Sequence, residues 1–214
     1  TAVILILACF VVFFWAGFEQ AGSSLTLYTR DFVDRTIFGF EIPTAWFQSV
    51  NPLFIVLLAP VVSMLWIRLG RSKRGDFSSP TKMALGMILL GSGFMILLIA
   101  ILQTGNDANN IVTKANIVFI VLTYLFHTLG ELFLSPVGLS TVTRLAPLKL
   151  ASLLMGVWLA SSGVANILAG QLARFTQSLG YFEVFAVIGG LAIVLGLILL
   201  AFSKKLTKMM HLED

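Results

Sequence analysis

The sequence predicts an all-α membrane protein with six transmembrane helices, and its composition and its apolar runs carry this prediction. Hydrophobic residues make up 58% of the 214 residues, charged residues only 11%, and the mean hydropathy is +0.97. This composition leaves too little polar surface to cover a water-soluble globule of this size. The apolar runs are about 20 residues long, which suits helices crossing a bilayer. Strands are excluded as the main element, since barrel strands alternate in polarity over about ten residues.

Six apolar runs follow one another, separated by short polar connectors. Each run is long enough to cross roughly 30 Å of hydrocarbon at about 1.5 Å per helical residue. We therefore expect one transmembrane bundle over residues 1–214, with spans at about 3–27, 46–69, 82–102, 117–139, 151–173 and 181–202.

The distribution of Lys and Arg predicts the orientation of the bundle, because basic flanks stay on the cytoplasmic side of a membrane. One set of connectors and the C-terminal tail hold ten basic residues: Arg68, Arg71, Lys73, Arg74, Lys82, Arg144, Lys149, Lys204, Lys205 and Lys208. The opposite connectors hold Arg30, Arg35, Lys114 and Arg174. Both ends of the chain are thus predicted to be cytoplasmic. The basic pI of about 9.5 reflects this topology and implies no nucleic-acid partner.

The chain begins at Thr1, directly inside an apolar run and without an initiator Met, a basic leader or a cleavage site. We therefore expect that a preceding segment belongs to the natural protein. Cys9 lies within a span and is the single cysteine, so it cannot form a disulfide within the chain. Trp46, at the entrance to the second span, is expected in the interfacial aromatic belt.

Two acidic residues, Glu19 and Glu131, lie inside predicted spans, whereas the other eight lie in connectors or near span ends. A charge near the centre of a bilayer costs about 2.5–3.5 kcal/mol on insertion scales, so such residues generally face a cavity or a partner. Glu19 and Glu131 are therefore the leading candidates for function. A buried structural pair is the alternative interpretation.

Polar and aromatic side chains accompany these carboxylates at helical spacing. Trp15 precedes Glu19 by one turn, and His127 and Ser135 flank Glu131 by one turn on either side. The second and fifth spans carry comparable stripes, formed by Gln48, Asn51, Trp158, Ser162 and Asn166. Together the four stripes predict a water-filled central cavity. Interhelical hydrogen bonding is the alternative for Gln48 and Asn166, and ordinary packing is the alternative for Trp15 and Trp158.

Proline and glycine are concentrated near the polar positions. Gly130, Pro136 and Gly138 are expected to interrupt the fourth span beside Glu131, and Pro52 and Pro60 to interrupt the second beside Asn51. Spans one and four hold the two buried acids and would occupy matching places in a three-plus-three inverted repeat. Transporter halves are built in this way.

Several sequence motifs lie in or beside these spans. The most specific is GELFLSPVGLS at 130–140, followed by VT at 142–143, LAP at 145–147 and MGVW at 155–158. Further motifs are Phe14-Trp15, Glu19-Gln20 and Gly22-Ser23 in the first span, QSVNP at 48–52, Ala59-Pro60, Leu65-Trp66 and Leu69-Gly70. Together they resemble the proton-dependent oligopeptide transporter (POT, or PTR) family of the major facilitator superfamily. The resemblance covers the family's seventh to twelfth helices and implies the C-terminal six-helix bundle, with the N-terminal bundle outside this chain.

The resemblance implies proton-coupled symport of di- and tripeptides by alternating access, not an enzyme. Glu131 then matches the carboxylate that holds a peptide's amino terminus, Asn51 the amide that assists it, and Glu19 the position tied to proton coupling and the outer gate. The resemblance also places pocket-lining roles on Trp15, Ser135 and Trp158, and we add Gln48 to the substrate-binding set. The connector between Gln103 and Asn116 is too short for the extracellular domain of animal members, which indicates a bacterial-type protein of the cytoplasmic membrane.

The expected partners are the peptide, the N-terminal six-helix half and the bilayer, with protons as the coupling ion, no other cofactor and no nucleic acid. A related transporter for nitrate, drugs or another solute is the main alternative. A metal-binding membrane protein could use His127 and Glu131, which are four residues apart on one helix. No second His lies in any span, however, and metal sites need more ligands.

Overall fold

The computed structural model describes residues 2–72, 75–105 and 113–211, and of His211 the backbone alone. Its α-helices are α1 (Ala2–Phe18), α2 (Ser24–Phe32), α3 (Val50–Gly70), α4 (Ser79–Thr104), α5 (Ile117–Leu145), α6 (Ala151–Leu179) and α7 (Tyr181–His211). Three 3₁₀ turns cover Glu19–Gly22, Thr44–Ser49 and Leu148–Leu150. Thr1, Lys73, Arg74 and the middle of the Gln103 to Asn116 connector, 106–112, lie outside the described residues.

In the part of the chain that the structure describes, six helical segments are long and apolar enough to cross a membrane: Ala2–Phe32, Thr44–Gly70, Ser79–Thr104, Ile117–Leu145, Leu148–Leu179 and Tyr181–Met210. The predicted all-α class with six membrane-spanning segments is therefore confirmed. Most segments extend several residues beyond the predicted bounds, because a helix can continue through polar residues after the apolar run has ended.

The first span contains a break that the sequence did not predict. We expected one helix over 3–27, but α1 ends at Phe18, Glu19–Gly22 forms a 3₁₀ turn, and α2 begins at Ser24. Glycine and serine at 22–24 weaken a helix, since glycine gains most from leaving it and serine competes for backbone hydrogen bonds. Glu19 therefore lies on a broken segment and not on a regular helix.

The prolines do not interrupt their helices as expected. Helix α3 continues through Pro60 and α5 continues through Pro136. Pro52 lies in the first turn of α3, where a backbone N–H has no partner within the helix in any case. The predicted breaks at these residues are therefore wrong, and the described break lies in the first span.

Helix α4 is the centre of the bundle and packs against α5 on one side and α7 on the other. The helices approach closely where glycines meet a neighbouring backbone. A Cβ atom on Gly86 would lie 2.7 Å from the Gly130 carbonyl oxygen of α5, and one on Gly91 would lie 2.6 Å from the Gly189 carbonyl oxygen of α7. Membrane helices use small residues in this way to bring backbones together. Elsewhere in the bundle, α1 packs against α6, and α3 packs against α5.

Four two-residue strands lie at one end of the bundle, which we call the hairpin end. Strand β1 (Val33–Asp34) pairs in parallel with β4 (Ala115–Asn116), and thereby joins the end of α2 to the start of α5. Strands β2 (Thr36–Ile37) and β3 (Phe40–Glu41) form an antiparallel hairpin between α2 and α3.

Candidate functional site

The centre of the candidate site is a side-chain pair that links α3 to α5. The Asn51 side-chain amide donates hydrogen bonds to the Glu131 carboxylate, at 2.9 Å, and to the Thr128 hydroxyl, at 3.1 Å. Asn51 and Glu131 are both half-buried. The amide thus satisfies one carboxylate oxygen and holds the side chain in place, as a carboxylate removed from bulk water requires. The structure brings together the two residues that the sequence selected from different spans.

Helix α5 presents Glu131 from a close crossing with α4. Gly130, the preceding residue, packs against the α4 backbone, so that an added Cβ would lie 2.7 Å from the Gly86 carbonyl oxygen. The Leu90 backbone and the Phe14 ring fill the space around the same point. This crossing fixes the height and rotation of α5 at the carboxylate, and therefore sets the direction in which Glu131 can reach.

Glu19 is the other acidic residue selected from the sequence. It is half-buried in the 3₁₀ turn that breaks the first span and is not one of the hydrogen-bond partners of Asn51. A carboxylate removed from bulk water favours a cation or a proton as its partner. The half-buried Glu131 carboxylate, with Asn51 on one oxygen, can therefore bind a positively charged group or exchange a proton.

Gln20 is a structural residue that was not among the candidates selected from the sequence. Its side chain is fully buried and donates hydrogen bonds to the Ala16 carbonyl at 3.1 Å and, across to α6, to the Ala169 carbonyl at 3.2 Å. Its own oxygen accepts a 2.5 Å hydrogen bond from the Ser24 hydroxyl. A buried, fully bonded amide fixes the break beside Glu19. The sequence did contain a sign of this structural role, because Gln20 directly follows Glu19 inside a span.

Gln48 lies at the same break and not in the Asn51–Glu131 pair. Its amide donates to the Ala21 carbonyl and to the Thr26 hydroxyl, both at 2.7 Å. The Thr26 hydroxyl in turn donates to the Ala21 carbonyl at 2.7 Å. These bonds satisfy a carbonyl that the break removes from the regular helix pattern. The structure thus gives Gln48 an interhelical partner, and its predicted role in binding substrate stays a prediction.

The predicted aromatic residues occupy two different environments. Trp15 is half-buried and belongs to a cluster on α1, with its ring 5.6 Å from that of Phe14 and 5.2 Å from that of Phe18. Trp158 of α6 packs over Gly138 of α5, where an added Cβ would lie 2.4 Å from the indole ring. Trp158 therefore ties α6 to α5 and depends on the absence of a side chain at position 138.

The residues on either side of Glu131 differ in their surroundings. Ser135 is half-buried one turn after it. His127, one turn before it, is buried with its ring 4.6 Å from that of Phe94 and directly over Gly93. His127 thus packs on α4 while Glu131 bonds to α3. Within residues 2–72, 75–105 and 113–210, no three His, Cys, Asp or Glu side chains are grouped to hold a metal ion.

A cavity of about 580 Å³ lies between α3, the start of α4, and the C-terminal parts of α5 and α7. Its lining includes Trp66, Lys82, Pro136 and Arg144. Lys82 pairs with Asp76 and lies 4.4 Å from the centre of the Trp66 ring, so this end of α3 is tied to α4. The lining contains neither Asn51 nor Glu131, and the carboxylate site is therefore defined by side-chain contacts and not by this cavity.

Comparison with known sequences gives a consistent result. Residues 1–188 match a family described as PTR2, POT family. The chain is 41% identical over 181 residues to the peptide transporter YePEPT of Yersinia enterocolitica, covering 81% of this chain and 34% of that protein. It is 32% identical over 203 residues to a di-/tripeptide transporter of Lactococcus lactis, covering 93% of this chain and 39% of that protein. The chain thus spans less than half the length of these relatives.

Superposition on solved structures points to the same family as the sequence comparison. A mutant of peptide transporter POT in complex with alafosfalin superposes with a TM-score of 0.84 at 36% identity, covering 96% of this chain and 40% of that one. A POT family transporter in complex with 5-aminolevulinic acid superposes with a TM-score of 0.85 at 33% identity, covering 96% and 41%. The fold is that of a six-helix bundle of a major facilitator transporter, and the chain belongs to the POT family.

Proposed function

We propose that the complete transporter containing this bundle carries di- and tripeptides across the cytoplasmic membrane together with protons. The observation that carries the proposal is the Asn51–Glu131 pair, a half-buried carboxylate oriented by an amide from a second span. The names of the relatives, which include peptide and di-/tripeptide transporters, support the substrate class.

The chemistry of the pair suits one end of a peptide. A zwitterionic peptide needs an anion for its ammonium group and a cation for its carboxylate, with apolar walls for variable side chains. Glu131 supplies the anion, and Asn51 keeps one of its oxygens in place while leaving the other for the substrate. Trp15, Ser135 and Trp158 are proposed to line the same pocket. No Lys or Arg lies in the middle of a span here, so the cation comes from the N-terminal half.

We assign Glu19 to proton coupling and gating. Its position on a broken span allows the carboxylate to move with the segment. Protonation of Glu19 would release an ion pair to a basic residue of the N-terminal half. Alternating access then opens the outer gate while the central site stays in place.

The remaining assignments follow from this scheme. Protons are the coupling ion and no further cofactor takes part. The partners are the peptide, the N-terminal six-helix half and the bilayer. The basic residues near α3, α4, α5 and the end of α7 favour an orientation with the C-terminus in the cytoplasm.

The test of substrate binding is Glu131→Gln in the complete transporter. Losing the charge removes the partner of the peptide ammonium, so dipeptide affinity is expected to fall by about 10- to 100-fold. Glu183→Gln, an exposed carboxylate in the first turn of α7, is the control and should bind normally. Unchanged dipeptide affinity in Glu131→Gln, or displacement of substrate by nitrate and not by dipeptides, would contradict the proposal.

Glu19→Gln tests the coupling role separately. In reconstituted vesicles, uptake driven by a proton gradient should weaken, while peptide exchange without a gradient should continue at the normal rate. Gradient-driven uptake at the level of the unmodified transporter would make Glu19 a structural residue.

A further inference from the structure

The hairpin of β2 and β3 has one polar and one apolar face. Thr36 pairs with Glu41, and Ile37 pairs with Phe40. Residues directly opposite one another in an antiparallel pair point to the same side, and successive residues point to opposite sides. Thr36 and Glu41 therefore share the polar face, and Ile37 and Phe40 share the apolar face.

The apolar face is uncovered in the chain. Ile37 is 41% exposed, Phe40 is 55% exposed and Trp46, whose ring lies 6.0 Å from that of Phe40, is 59% exposed. Phe38 at the tip is fully exposed. Ile37, Phe40 and Trp46 thus lie together, and Phe38 stands beside them at the turn. We call these four residues the aromatic tip. An exposed apolar cluster of this kind marks a contact with a partner or a membrane.

The backbone at the tip is unfavourable for a phenylalanine. Phe38 has φ of 50° and Gly39 has φ of 82°, so both central residues of the two-residue turn are left-handed. Turns of this type prefer Asn-Gly, Asp-Gly or Gly-Gly, because a Cβ atom is disfavoured in this conformation. The sequence places a large apolar ring at a position where the backbone disfavours any side chain. A selected role for the ring explains this choice better than turn formation does.

The base of the hairpin is firmly held, so the position of the tip is defined. The Arg35 guanidinium donates to the Ile42 carbonyl at 2.6 Å and forms an ion pair with Glu41. The Arg35 carbonyl accepts a 2.9 Å hydrogen bond from the Ile42 backbone N–H. Just before the hairpin, β1 is paired with β4.

We propose that the aromatic tip inserts into the interfacial layer of the bilayer and anchors this end of the bundle to lipid. The span Ala2–Phe32 ends just before β1, and the span Thr44–Gly70 begins three residues after Glu41. Three residues reach at most about 10 Å, so the base of the hairpin lies beside two points at which the chain crosses the membrane surface. Trp46 of the aromatic tip lies within the second span itself. Aromatic side chains concentrate in that layer, with charged groups on the water side. The anchor is independent of the transported substrate.

Fluorescence quenching tests this proposal with a matched pair of variants in the complete transporter. Phe38→Trp puts the probe at the tip, and Thr36→Trp puts it on the polar face of the same hairpin. In phosphatidylcholine vesicles, lipids brominated near the headgroup end of the acyl chain should quench Phe38→Trp at least about twofold more than Thr36→Trp, after the signal of the unmodified transporter is subtracted. Aqueous acrylamide should show the opposite preference.

Equal quenching of the two variants by brominated lipid would overturn the proposal. Protection of Phe38→Trp from both quenchers would overturn it too, because protein would then cover the tip. Both variants are expected to bind dipeptide normally, since both side chains are exposed and neither position takes part in the hydrogen bonds of Asn51 and Glu131. Failure of the anchor can therefore be told apart from failure of the transport proposal.

Discussion

Helices α3 and α4 are similar as sequences but differ as parts of the bundle. Their most apolar stretches have mean hydropathies of 2.2 and 2.6, and both spans are 26 or 27 residues long. Half of that stretch is buried within the chain for α4, against 6% for the span that contains α3. Hydropathy therefore identifies both as membrane helices without showing which of them the other helices surround.

The difference arises from small residues at backbone contacts. Helix α4 has Gly86 against α5 and Gly91 against α7, where neighbouring carbonyl oxygens occupy the space of a side chain. Helix α3 instead presents large apolar residues such as Leu53, Val56 and Leu57 outward. It also carries Asn51, the amide of the candidate site. Packing within the chain is thus concentrated in α4, whereas the site uses a helix with few contacts inside the chain.

The largest effect is expected where α4 meets α7. Gly91→Val would place a Cβ 2.6 Å from the Gly189 carbonyl oxygen, and should lower the free energy of unfolding by about 3 kcal/mol through overpacking. Thermal unfolding of the complete transporter in detergent measures this. Gly163→Val on α6 is the control, because apart from its own helical turn and chain neighbours no atom of the described residues lies within 4 Å of a Cβ there. An unchanged Tm for Gly91→Val would contradict the packing account.

A smaller loss is expected at the junction of the first span with α6. Gln20→Leu removes the hydrogen bonds to Ala16 and Ala169 and leaves the buried Ser24 hydroxyl without its acceptor. Stability should fall by about 2 kcal/mol. Gln171→Leu, an exposed amide near Ala169 on α6, should change it by less than about 0.5 kcal/mol. Equal Tm values for the two variants would show that the Gln20 bonds do not stabilise the break.

Substitution of Asn51 on α3 should affect dipeptide affinity more than the free energy of unfolding. Asn51→Leu removes the bond to Glu131 on a sparsely packed helix, so unfolding should become easier by about 1 kcal/mol, while dipeptide affinity falls about tenfold. Thr128→Val removes the 3.1 Å bond from Asn51 and the hydroxyl's own 2.7 Å bond to the Tyr124 carbonyl, which lies within α5, but leaves the Asn51–Glu131 contact. It should therefore have the weaker effect on affinity. Isothermal titration with a dipeptide compares the two. If Thr128→Val lowered dipeptide affinity more than Asn51→Leu does, the Asn51–Glu131 bond would not be the contact on which binding depends.

The smallest effect is expected at the opposite end of α3. Lys82→Met removes the ion pair with Asp76 and the contact over the Trp66 ring, and should cost about 0.5 kcal/mol. Lys204→Met, an exposed lysine of α7, is the matched control and should cost less. The difference in Tm between the two variants should shrink at high salt, because the Asp76 side chain is exposed to solvent and salt screens the charges that solvent reaches. A difference that grows with salt would point to packing and not to charge.

Much of the fold was predictable, because each span is a local property of a run of residues. The six segments and the all-α class follow from the cost of leaving backbone groups unpaired in lipid. The break at Glu19–Gly22 was not predictable from hydropathy, since the residues on either side remain apolar enough to continue the span. The side chains of Gln20, Thr26 and Gln48 hydrogen-bond to the carbonyls around the break, and two of these residues come from the first span itself.

The candidate site was predictable only in part. The cost of a charge in lipid selects Glu19 and Glu131 without any structure, and the polar stripe of the second span together with the motif resemblance adds Asn51. The sequence could not assign partners, because an amide at helical spacing serves a cavity or a neighbouring helix equally well. Gln48 and Asn51 are three residues apart on α3 and its preceding turn, yet one bonds at the break and the other bonds to Glu131.

The sequence by itself determined that the chain is a six-span membrane bundle, which two residues carry charge inside it, and which family it resembles. Each of these depends on the residue types alone, through transfer free energies and local motifs. Only the tertiary structure decided that α4 is the packed centre, that Gln20 holds the broken span to α6, and that Asn51 bonds to Glu131. Those facts depend on which helix faces meet, and close backbone approaches such as that of Gly86 and Gly130 are what select the faces.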